Sequence, residues 1–306
     1  MKYNDYLFKL LSEIATKKNF EITGLSDNYI IEIKDKNTKK TFYIYGNRFP
    51  LNNASSQKIC SDKSALSDVL ALNKIPHVIH TLFKHPKYNM PWKFSTLKRH
   101  LVNNPQGLVI KDNFGSCGNN VYLVKTNFQL KKAVRKILKQ GLDISLSPYV
   151  NYENEYRLIM LDGICMACYK KVRPFVKGDG KTSLRKLVFN KYAELNFNLP
   201  LISKFKIPKK DEKITVGWKH NLKMNSIPEN ITDEKLKNQL VDFAKKVLTT
   251  INIKFCSVDL IFDNTELKVL EINSIVSMNE YANYSKENYK TTKEIFTKAI
   301  EASLKL

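Results

Sequence analysis

The chain contains, from residue 257 to residue 273, the sequence Ser257-Val-Asp-Leu-Ile-Phe-Asp-Asn-Thr-Glu-Leu-Lys-Val-Leu-Glu-Ile-Asn273. Two apolar strands flanking a polar turn predict a β-hairpin. With a turn centred near Thr265, Asp259 lies directly opposite Glu271, with Cβ atoms about 5 Å apart. Asn273 shares their face because side chains alternate along a strand. Like charges placed opposite each other destabilise a sheet, so the pattern favours a bound cation.

A divalent metal ion would remove this repulsion. Two carboxylates and an amide offer hard oxygen ligands that suit Mg²⁺, which proteins commonly hold with one or two carboxylates plus substrate phosphates. The hairpin therefore predicts a magnesium site at Asp259, Glu271 and Asn273, with Mn²⁺ as an alternative ion. The open alternative is a solvent-exposed strand face whose carboxylates hold no metal.

A second feature is an apolar strand that ends in a lysine and a glycine-containing loop. Gly107 to Lys111 forms the strand, and the loop Asp112-Asn-Phe-Gly-Ser-Cys-Gly-Asn-Asn120 follows it. Glycine lets backbone amides approach phosphate oxygens closely, and Lys111 adds a positive charge. The pattern matches neither GxxxxGK[ST] nor GxGxxG, so it indicates a phosphate lid of another kind. A plain surface turn is the alternative.

The remaining elements predict an α+β protein, because helices and strands mix without a regular βαβ order. Apolar residues at helical spacing, caps and breakers predict the helices, and short apolar runs predict the strands. Predicted helices span 3–17, 61–73, 128–140, 182–193 and 233–248. Predicted strands span 29–33, 41–45, 107–111, 144–150, 156–161, 164–172, 256–262 and 267–272.

Several motifs, taken in order over about residues 60 to 285, resemble the ATP-grasp superfamily of carboxylate-amine ligases. They are Ser61-Asp-Lys63, Val109-Ile-Lys111 with its loop, Pro148-Tyr-Val150, Glu155-Tyr-Arg157, Asp259 and Glu271-Ile-Asn273. Gly178-Asp-Gly180, preceded by Arg173-Pro174, resembles glutathione-synthetase modules and cyanophycin synthetases. Lys219-His-Asn221-Leu222 is similar to a stretch of the ribosomal-protein glutamate ligases.

The resemblance implies an ATP-grasp fold in which two α+β subdomains grip ATP. A small N-terminal α/β unit would cover residues 1–58. The first subdomain, with the phosphate-lid loop, would cover 59–146, and the second, with the metal-binding hairpin, 147–306.

The resemblance also implies roles for individual residues. Lys63 and Lys111 would touch ATP phosphates, Val150 the adenine edge and Glu155 the ribose, and the metal would sit at the acidic hairpin. The full ATP-binding set is Lys63, Lys111, Ser116, Gly118, Tyr149, Val150 and Glu155. The set for the γ-phosphate or an acyl phosphate is Arg157, Arg173, Lys219 and Asn221.

The implied activity is the joining of an amino-acid or peptide carboxylate to an amine through an acyl phosphate, with release of ADP and phosphate. An acidic substrate and a homo-oligomer are both left open. Two departures lie near the acceptor side: Asn225-Ser226 replaces Gly-Gly, and Ile275-Val276-Ser277 replaces Pro-Gly. They leave open a changed substrate or a lost activity. The alternatives are an ATP-dependent phosphotransferase and a non-catalytic basic protein that binds nucleotides or nucleic acid.

Composition and charge disfavour nucleic-acid and membrane partners for this protein. The net charge of +22 is spread as scattered lysines, and no nucleic-acid-binding motif is present, so nucleic acid is disfavoured as a partner. No run approaches the roughly 20 apolar residues that cross a bilayer, which predicts a cytoplasmic protein without a membrane partner.

Five cysteines do not form a disulfide framework. Cys165 and Cys168 lie in an apolar strand, which would point them to opposite faces, so we expect a structural role rather than zinc binding.

Overall fold

The computed structural model describes residues 5–88, 92–116, 118–192, 201–263 and 266–306. Helices and strands mix in four sheets, which confirms the α+β prediction. The chain divides into two compact units, Met1–Cys168 with Ile231–Leu306 and Tyr169–Asn230. No helix in the described ranges combines the length and the apolar character that crossing a membrane requires.

The elements follow one another in this order. The helices are α1 (Asp5–Ala15), α2 (Ala54–Ser61), α3 (Lys63–Leu72), α4 (Phe94–Val102), α5 (Asn127–Leu138), α6 (Leu184–Tyr192), α7 (Leu201–Lys204), α8 (Glu234–Ile251), α9 (Asn279–Ala282) and α10 (Lys286–Ser303). The strands are β1 (Phe20–Leu25), β2 (Ile30–Asp35), β3 (Thr41–Tyr45), β4 (Thr81–Phe83), β5 (Leu108–Asp112), β6 (Val121–Val124), β7 (Ile144–Pro148), β8 (Glu155–Leu161), β9 (Ile164–Val172), β10 (Phe175–Lys177), β11 (Lys213–Thr215), β12 (Ile227–Asn230), β13 (Phe255–Asp263) and β14 (Glu266–Asn273).

The first unit begins with α1 and the antiparallel sheet β1-β2-β3. Leu7, Leu10, Leu11 and Ile14 recur at helical spacing on α1 and are all buried. α10 contacts α1, and Glu13 accepts hydrogen bonds from Tyr289 Oη (2.8 Å) and Lys293 Nζ (3.0 Å). The last long helix therefore completes the first unit beside its first helix.

A four-stranded sheet in the order β4-β7-β5-β6 forms the next part of the first unit. Its inward side chains, including Leu108, Ile110 and Ile144, pack with Leu97 of α4 and Leu130 of α5. Because side chains alternate along strands, Lys111 and Ser145 lie together on the opposite face. That face carries the lysine predicted to meet phosphate.

The second sheet of the first unit runs β9-β8-β13-β14. Residues of β8, β13 and β14 such as Leu158, Val258 and Val269 pack on one face against α8 and α3. The β8–β9 turn is Asp162-Gly163, and both residues have positive φ (48° and 78°), as the predicted Asp-Gly hairpin requires. The opposite face, which we call the polar face, carries Glu155, Arg157, Asp259 and Glu271 together with the apolar Ile159 and Ile261.

The second unit is small. The end of β9 pairs with β12, and β10 pairs with β11, both antiparallel. Val176 and Val216 pack with Leu184 and Val188 of α6 to form its apolar core.

The sequence predicted the strongly periodic elements and missed several others. β1, α2, α4 and α10 were not predicted, although α10 buries Ile295, Phe296, Ala299 and Ile300 at helical spacing. Asp62 forms the N-cap of α3, accepting a 3.0 Å hydrogen bond from Ala65 N. The predicted hairpin turn at Thr265 and the helix residues Tyr3 and Ala193 lie outside the described residues.

Candidate active site

A β-bulge brings the two predicted metal carboxylates opposite each other. Leu260 pairs with Val269, but the next pair is Asp259 with Glu271, so Leu270 is the extra residue. Without the bulge, Leu270 would face Asp259, and Glu271 would point into the apolar core beside Val269. The predicted pairing of Asp259 with Glu271 is confirmed, and the bulge is its cause.

The polar face of β8, β13 and β14 is ordered in rows by the strand register. The rows are Glu155, Ile261 and Lys268, then Arg157, Asp259 and Glu271, then Ile159, Ser257 and Asn273. The middle row gathers one cation and two carboxylates. This row is the chemical centre of the candidate site.

Arg157 and Asp259 form a bidentate ion pair. Arg157 Nε donates to Asp259 Oδ1 at 2.7 Å, and Nη2 donates to Oδ2 at 2.6 Å. The Asp259 side chain is 3% exposed and that of Arg157 is 22% exposed, so the pair is largely withdrawn from water. Paired, charge-assisted bonds of this kind fix both side chains strongly. Arg157, predicted as a phosphate-binding cation, thus contacts Asp259 in the structure.

The oxygen ligands of this face fit a magnesium ion. A carboxylate has about four lone-pair sites, so Asp259 can accept from Arg157 and still bind a metal. Glu271 and Asn273 are half-buried beside it on the same face. The described residues contain no group of three or more His, Cys, Asp or Glu side chains that could hold a metal. A metal here would need the Asn273 amide and ligands from a substrate, as is usual for Mg²⁺.

Glu155 lies at the buried start of β8. Tyr152 Oη donates a 2.9 Å hydrogen bond to Glu155 Oε2. Burial raises the pKa of the Tyr152 hydroxyl well above its usual range, and the charges of Glu155 and Asp259 add to the effect. Tyr152 therefore stays neutral and keeps donating to the Glu155 carboxylate.

Tyr149 and Val150 follow β7 and are both half-buried. Tyr149 N donates to Gly107 O at 3.0 Å, and the ammonium group of Lys125 lies 5.9 Å from the centre of the tyrosine ring. This segment is held to the start of β5. It leads directly to Tyr152 and Glu155.

Lys63 contacts the glycine-containing loop rather than solvent. Its Nζ donates to Gly115 O at 2.5 Å and to Asn113 O at 3.3 Å, and the side chain is buried. The predicted ATP lysine at the start of α3 thus holds the loop that follows β5. A bound phosphate would meet this ammonium group together with the loop.

Asn113 is a fully buried anchor for the same loop. Its Nδ2 donates to Asp62 Oδ1 at 2.8 Å, and its Oδ1 accepts from Ser64 N at 3.2 Å and Ser64 Oγ at 3.1 Å. Its backbone N donates to Asp143 O at 3.0 Å. These bonds tie the root of the loop to the first turn of α3 and to the start of β7.

The loop itself is closed by short-range bonds. Asp112 Oδ1 accepts from Phe114 N at 3.0 Å, and Asp112 O accepts from Gly115 N at 3.2 Å. The predicted phosphate-binding amide of Gly115 is therefore already used in the turn. Ser116 is exposed, and Gly118 has a φ of +74°, which favours glycine. Cys117, between them, lies outside the described residues.

Lys111 extends from the end of β5 beside a buried histidine. His80 Nδ1 lies 2.8 Å from Ser145 Oγ, and Ser145 is the strand partner of Lys111. Burial lowers the pKa of His80 well below its usual value, and the charges of Lys111 and Lys63 lower it further. A neutral His80 adds no third positive charge next to the two lysines.

The other three predicted catalytic residues lie in the second unit. Burial lowers the pKa of Lys219, whose ammonium group lies 5.6 Å from the Trp218 ring. Asn221 caps a 3₁₀ turn, Leu222–Met224, by accepting a 3.0 Å bond from Lys223 N. Arg173 follows β9 and is half-buried.

Asn225 takes over the backbone role of a missing glycine. It ends the 3₁₀ turn with a φ of 65° and a ψ of 22°. Asparagine is among the few residues other than glycine that adopt this left-handed conformation readily. The replacement of the expected glycine thus leaves the backbone turn intact.

The Gly178-Asp-Gly180 motif builds a turn. Asp179 Oδ1 accepts hydrogen bonds from Lys181 N at 2.9 Å and from Thr182 N at 2.7 Å. A hydrogen bond from the Thr182 hydroxyl, together with these two backbone bonds, lowers the pKa of Asp179 to about 2. A Cβ on Gly178 would lie 2.0 Å from Lys209 O, so glycine is required there. Asp179 acts in the second unit as a turn-forming residue.

The prediction that Cys165 and Cys168 point to opposite faces is wrong. Both pack against the core cluster of the second sheet, and Cys165 Sγ donates to Ala167 O at 3.4 Å. The two thiols also influence each other's pKa. The neighbouring thiol lowers the pKa of Cys165 and raises that of Cys168. The strict two-residue alternation assumed for β9 does not hold at this pair.

Sequence reasoning missed four residues of the candidate site: Tyr152, Asn113, His80 and Ser145. Tyr152 lies three residues before Glu155, so its proximity was a usable signal. Asn113 and Ser145 are polar residues next to or within apolar strands, which hints at buried hydrogen bonds. Nothing in the sequence around His80 indicates its contact with Ser145.

No protein-family model matches the chain, and no curated protein matches it. Among solved structures, it is similar to D-alanine--D-alanine ligase from Bacillus anthracis, with a TM-score of 0.56 and 15% identity over 83% of this chain and 70% of the ligase. The same enzyme complexed with ATP gives a TM-score of 0.54. A bifunctional glutathione synthetase from Pasteurella multocida gives a TM-score of 0.56 and 18% identity over 95% of this chain, which spans only 44% of the synthetase. The chain therefore has the ATP-grasp fold.

Proposed function

We propose that this chain is an ATP-dependent ligase that joins a carboxylate to an amine. The observation that carries the proposal is the middle row of the polar face, in which Arg157, Asp259 and Glu271 stand side by side on an ATP-grasp fold. Placing two carboxylates opposite each other lowers the stability of the sheet. Arrangements that lower stability are expected at functional sites. The similar ligases and the glutathione synthetase support the same class of reaction.

The nucleotide site in this proposal lies in the first unit. Lys63 and Lys111 meet the phosphates, and Ser116 and Gly118 belong to the lid. Tyr149 and Val150 receive the adenine, and Glu155 binds the ribose hydroxyls with Tyr152 holding its carboxylate. Support comes from the bond network that joins Lys63 to the loop and from the complex of the similar Bacillus enzyme with ATP.

Asp259, Glu271 and Asn273 would hold Mg²⁺, or Mn²⁺ in its place. The ion would neutralise charge on the phosphates of the nucleotide. Arg157 orients the Asp259 carboxylate through its two hydrogen bonds, so its position is fixed before an ion binds.

The proposed reaction begins with transfer of the γ-phosphate to the substrate carboxylate, because oxide is too poor a leaving group for direct attack by an amine. The amine then displaces phosphate and forms the amide. Catalysis of phosphoryl transfer rests mainly on alignment and charge stabilisation. Arg157, Arg173, Lys219 and Asn221 are the proposed groups for the transferred phosphate. Amino acids or peptides are the proposed substrates.

ADP release measured against pools of amino acids and short peptides, with mass spectrometry of the products, tests the proposal. A ligase requires both a carboxylate and an amine and forms an amide. ADP release with a stable phosphorylated product and no need for an amine would instead favour a phosphotransferase. Salt-sensitive RNA binding without ADP release would favour the non-catalytic alternative.

The subdomain boundaries 1–58, 59–146 and 147–306 and a cytoplasmic location belong to the same proposal. Limited proteolysis with and without ATP would test the boundaries, because a two-part nucleotide grip predicts protection by ATP at the links between subdomains.

A further inference from the structure

The second unit carries a disproportionate share of the positive charge. Tyr169–Asn230 contains fifteen lysines and arginines and five aspartates and glutamates, a net +10 of the chain's +22. The unit has 62 of the 306 residues. About a fifth of the chain thus holds nearly half of its net charge.

Two exposed lysines of this unit lie over one aromatic ring, and a third exposed lysine is the strand partner of one of them. Lys177 on β10 lies directly opposite Lys213 on β11 in the strand register. The ammonium groups of Lys213 and Lys191 lie over the ring of Phe175, at 4.1 and 4.3 Å from its centre. Lys191 Nζ also donates a 2.8 Å hydrogen bond to Phe175 O. We define Lys177, Lys191 and Lys213 as the lysine cluster.

The cluster is electrostatically unfavourable as it stands. Like charges directly across two strands destabilise a sheet. Partial burial lowers the pKa of Lys191, and the charges of Lys177 and Lys213 lower it further. Among the described residues, no carboxylate lies within ion-pair distance of these three ammonium groups. An anionic ligand would relieve this repulsion.

We propose that the lysine cluster binds an acidic peptide segment through two or more of its carboxylates. Lysine supplies point charges, whereas bidentate recognition of phosphate favours arginine. Thirteen of the fifteen cations of the unit are lysines, and only Arg173 and Arg185 are arginines.

The ring of Phe175 also argues for a peptide over a nucleic acid. Binding of single-stranded nucleic acid uses open aromatic faces on which bases stack. Two ammonium groups already lie over Phe175, so the ring serves to hold the lysines in place. That the bound peptide is also the substrate of the ligase rests on the proposed function.

The test measures binding of fluorescent deca-glutamate to the full chain without ATP, by anisotropy at several salt concentrations. Deca-glutamine and a ten-nucleotide poly-uridine RNA serve as neutral and nucleic-acid probes. The variant Lys177→Gln/Lys191→Gln/Lys213→Gln should bind deca-glutamate about tenfold more weakly and with a smaller salt dependence. The matched control Lys131→Gln/Lys132→Gln/Lys139→Gln removes three exposed charges from the first unit and should bind within about twofold of wild type.

Lys191 also bonds to the backbone, so the double variant Lys177→Gln/Lys213→Gln, which keeps that bond, should weaken binding in the same direction with a melting temperature no lower than that of wild type, because it removes the cross-strand repulsion. Equal binding by wild type and the triple variant, or tighter binding of the RNA than of deca-glutamate, would overturn the inference. If the cluster binds deca-glutamate but no amine-dependent ADP release is found, the ligase proposal fails and the binding site stands. If ADP is released with amino acids but deca-glutamate does not bind, only this inference fails.

Discussion

Arg157 and Asp259 are direct strand partners on β8 and β13 and share two hydrogen bonds of 2.7 and 2.6 Å. The arginine thereby compensates the charge of the Asp259 carboxylate, which is almost completely buried. Glu271 on the other side of Asp259 has no such strand partner in its row. The row therefore contains one carboxylate, Asp259, whose charge Arg157 compensates, and a second, Glu271, whose charge a metal ion can compensate.

Replacing Arg157 should destabilise the fold. Arg157→Gln leaves the Asp259 carboxylate buried without its cation, so the free energy of unfolding should fall by about 2 to 4 kcal/mol, less than for a fully buried pair because Arg157 retains some exposure. Urea unfolding measures the change. Adding Asp259→Asn should restore part of the loss. The control Lys18→Gln, which breaks the exposed pair with Glu301, should cost under about 1 kcal/mol; equal losses in both variants would contradict the importance of the buried pair.

Glu271 should be needed for metal binding and turnover but not for folding. Glu271→Gln removes charge with little change in shape, so ADP release should fall at least about 100-fold while the free energy of unfolding changes by less than about 1 kcal/mol. Titration with Mn²⁺ in the presence of ATP, followed by electron paramagnetic resonance, should show weaker binding. Glu294→Gln on the exposed side of α10 is the matched control. Wild-type turnover in Glu271→Gln would refute the assignment.

Asn113 should position the loop without touching ATP. Asn113→Ala leaves buried groups of Asp62 and Ser64 without their partner, which should cost about 1 to 3 kcal/mol of stability. Because the loop root is released, amide hydrogen exchange at residues 114–116 should accelerate and the KM for ATP should rise. The control Asn119→Ala changes an exposed residue of the same loop whose backbone N donates to Ser116 O at 3.1 Å. Unchanged exchange in Asn113→Ala would argue against the anchoring role.

Lys111 should contribute to ATP affinity. If its ammonium group meets phosphate, Lys111→Ala removes a charge-assisted contact worth about 1.5 to 3 kcal/mol, which weakens ATP binding about ten- to a hundredfold. The dissociation constant for ATP and the melting temperature should be compared with those of Lys132→Ala on the exposed side of α5. ATP binding like wild type in both variants would rule out the phosphate contact.

His80 should make stability depend on pH. Its pKa is lowered in the folded state, so the unfolded chain takes up this proton first as the pH falls. The contribution of His80 is complete above about pH 6.5 and is lost as the pH falls below that value, by at most about 1.4 kcal/mol per pH unit. The free energy of unfolding from pH 7.5 to 5 should therefore decline less steeply in His80→Gln than in wild type. Parallel curves for the two proteins would show that His80 does not titrate on unfolding.

The candidate site was predictable where its chemistry depends on neighbours in the chain. A turn assumed near Thr265 paired Asp259 with Glu271 and placed Asn273 on their face, but in the structure this pairing depends on the bulge at Leu270. The predicted role of each residue remains a prediction, because a sequence pattern indicates chemistry and not occupancy. Lys63 and Lys111 were selected by motif, but their contacts with Gly115 O and with the surroundings of His80 depend on residues far away in the chain.

The sequence by itself determined the α+β class, the periodic helices and the acidic hairpin, because hydrophobic spacing and turn residues act over a few residues. Only the tertiary structure decided that Leu270 forms a bulge, since a bulge is a property of two paired strands and not of one. It also decided that Asn113 binds Asp62 and Ser64, about fifty residues earlier, and that Arg157 binds Asp259, 102 residues later. Such long-range polar pairs form because burial penalises every polar group left without a partner, and only packing determines which partner lies within reach.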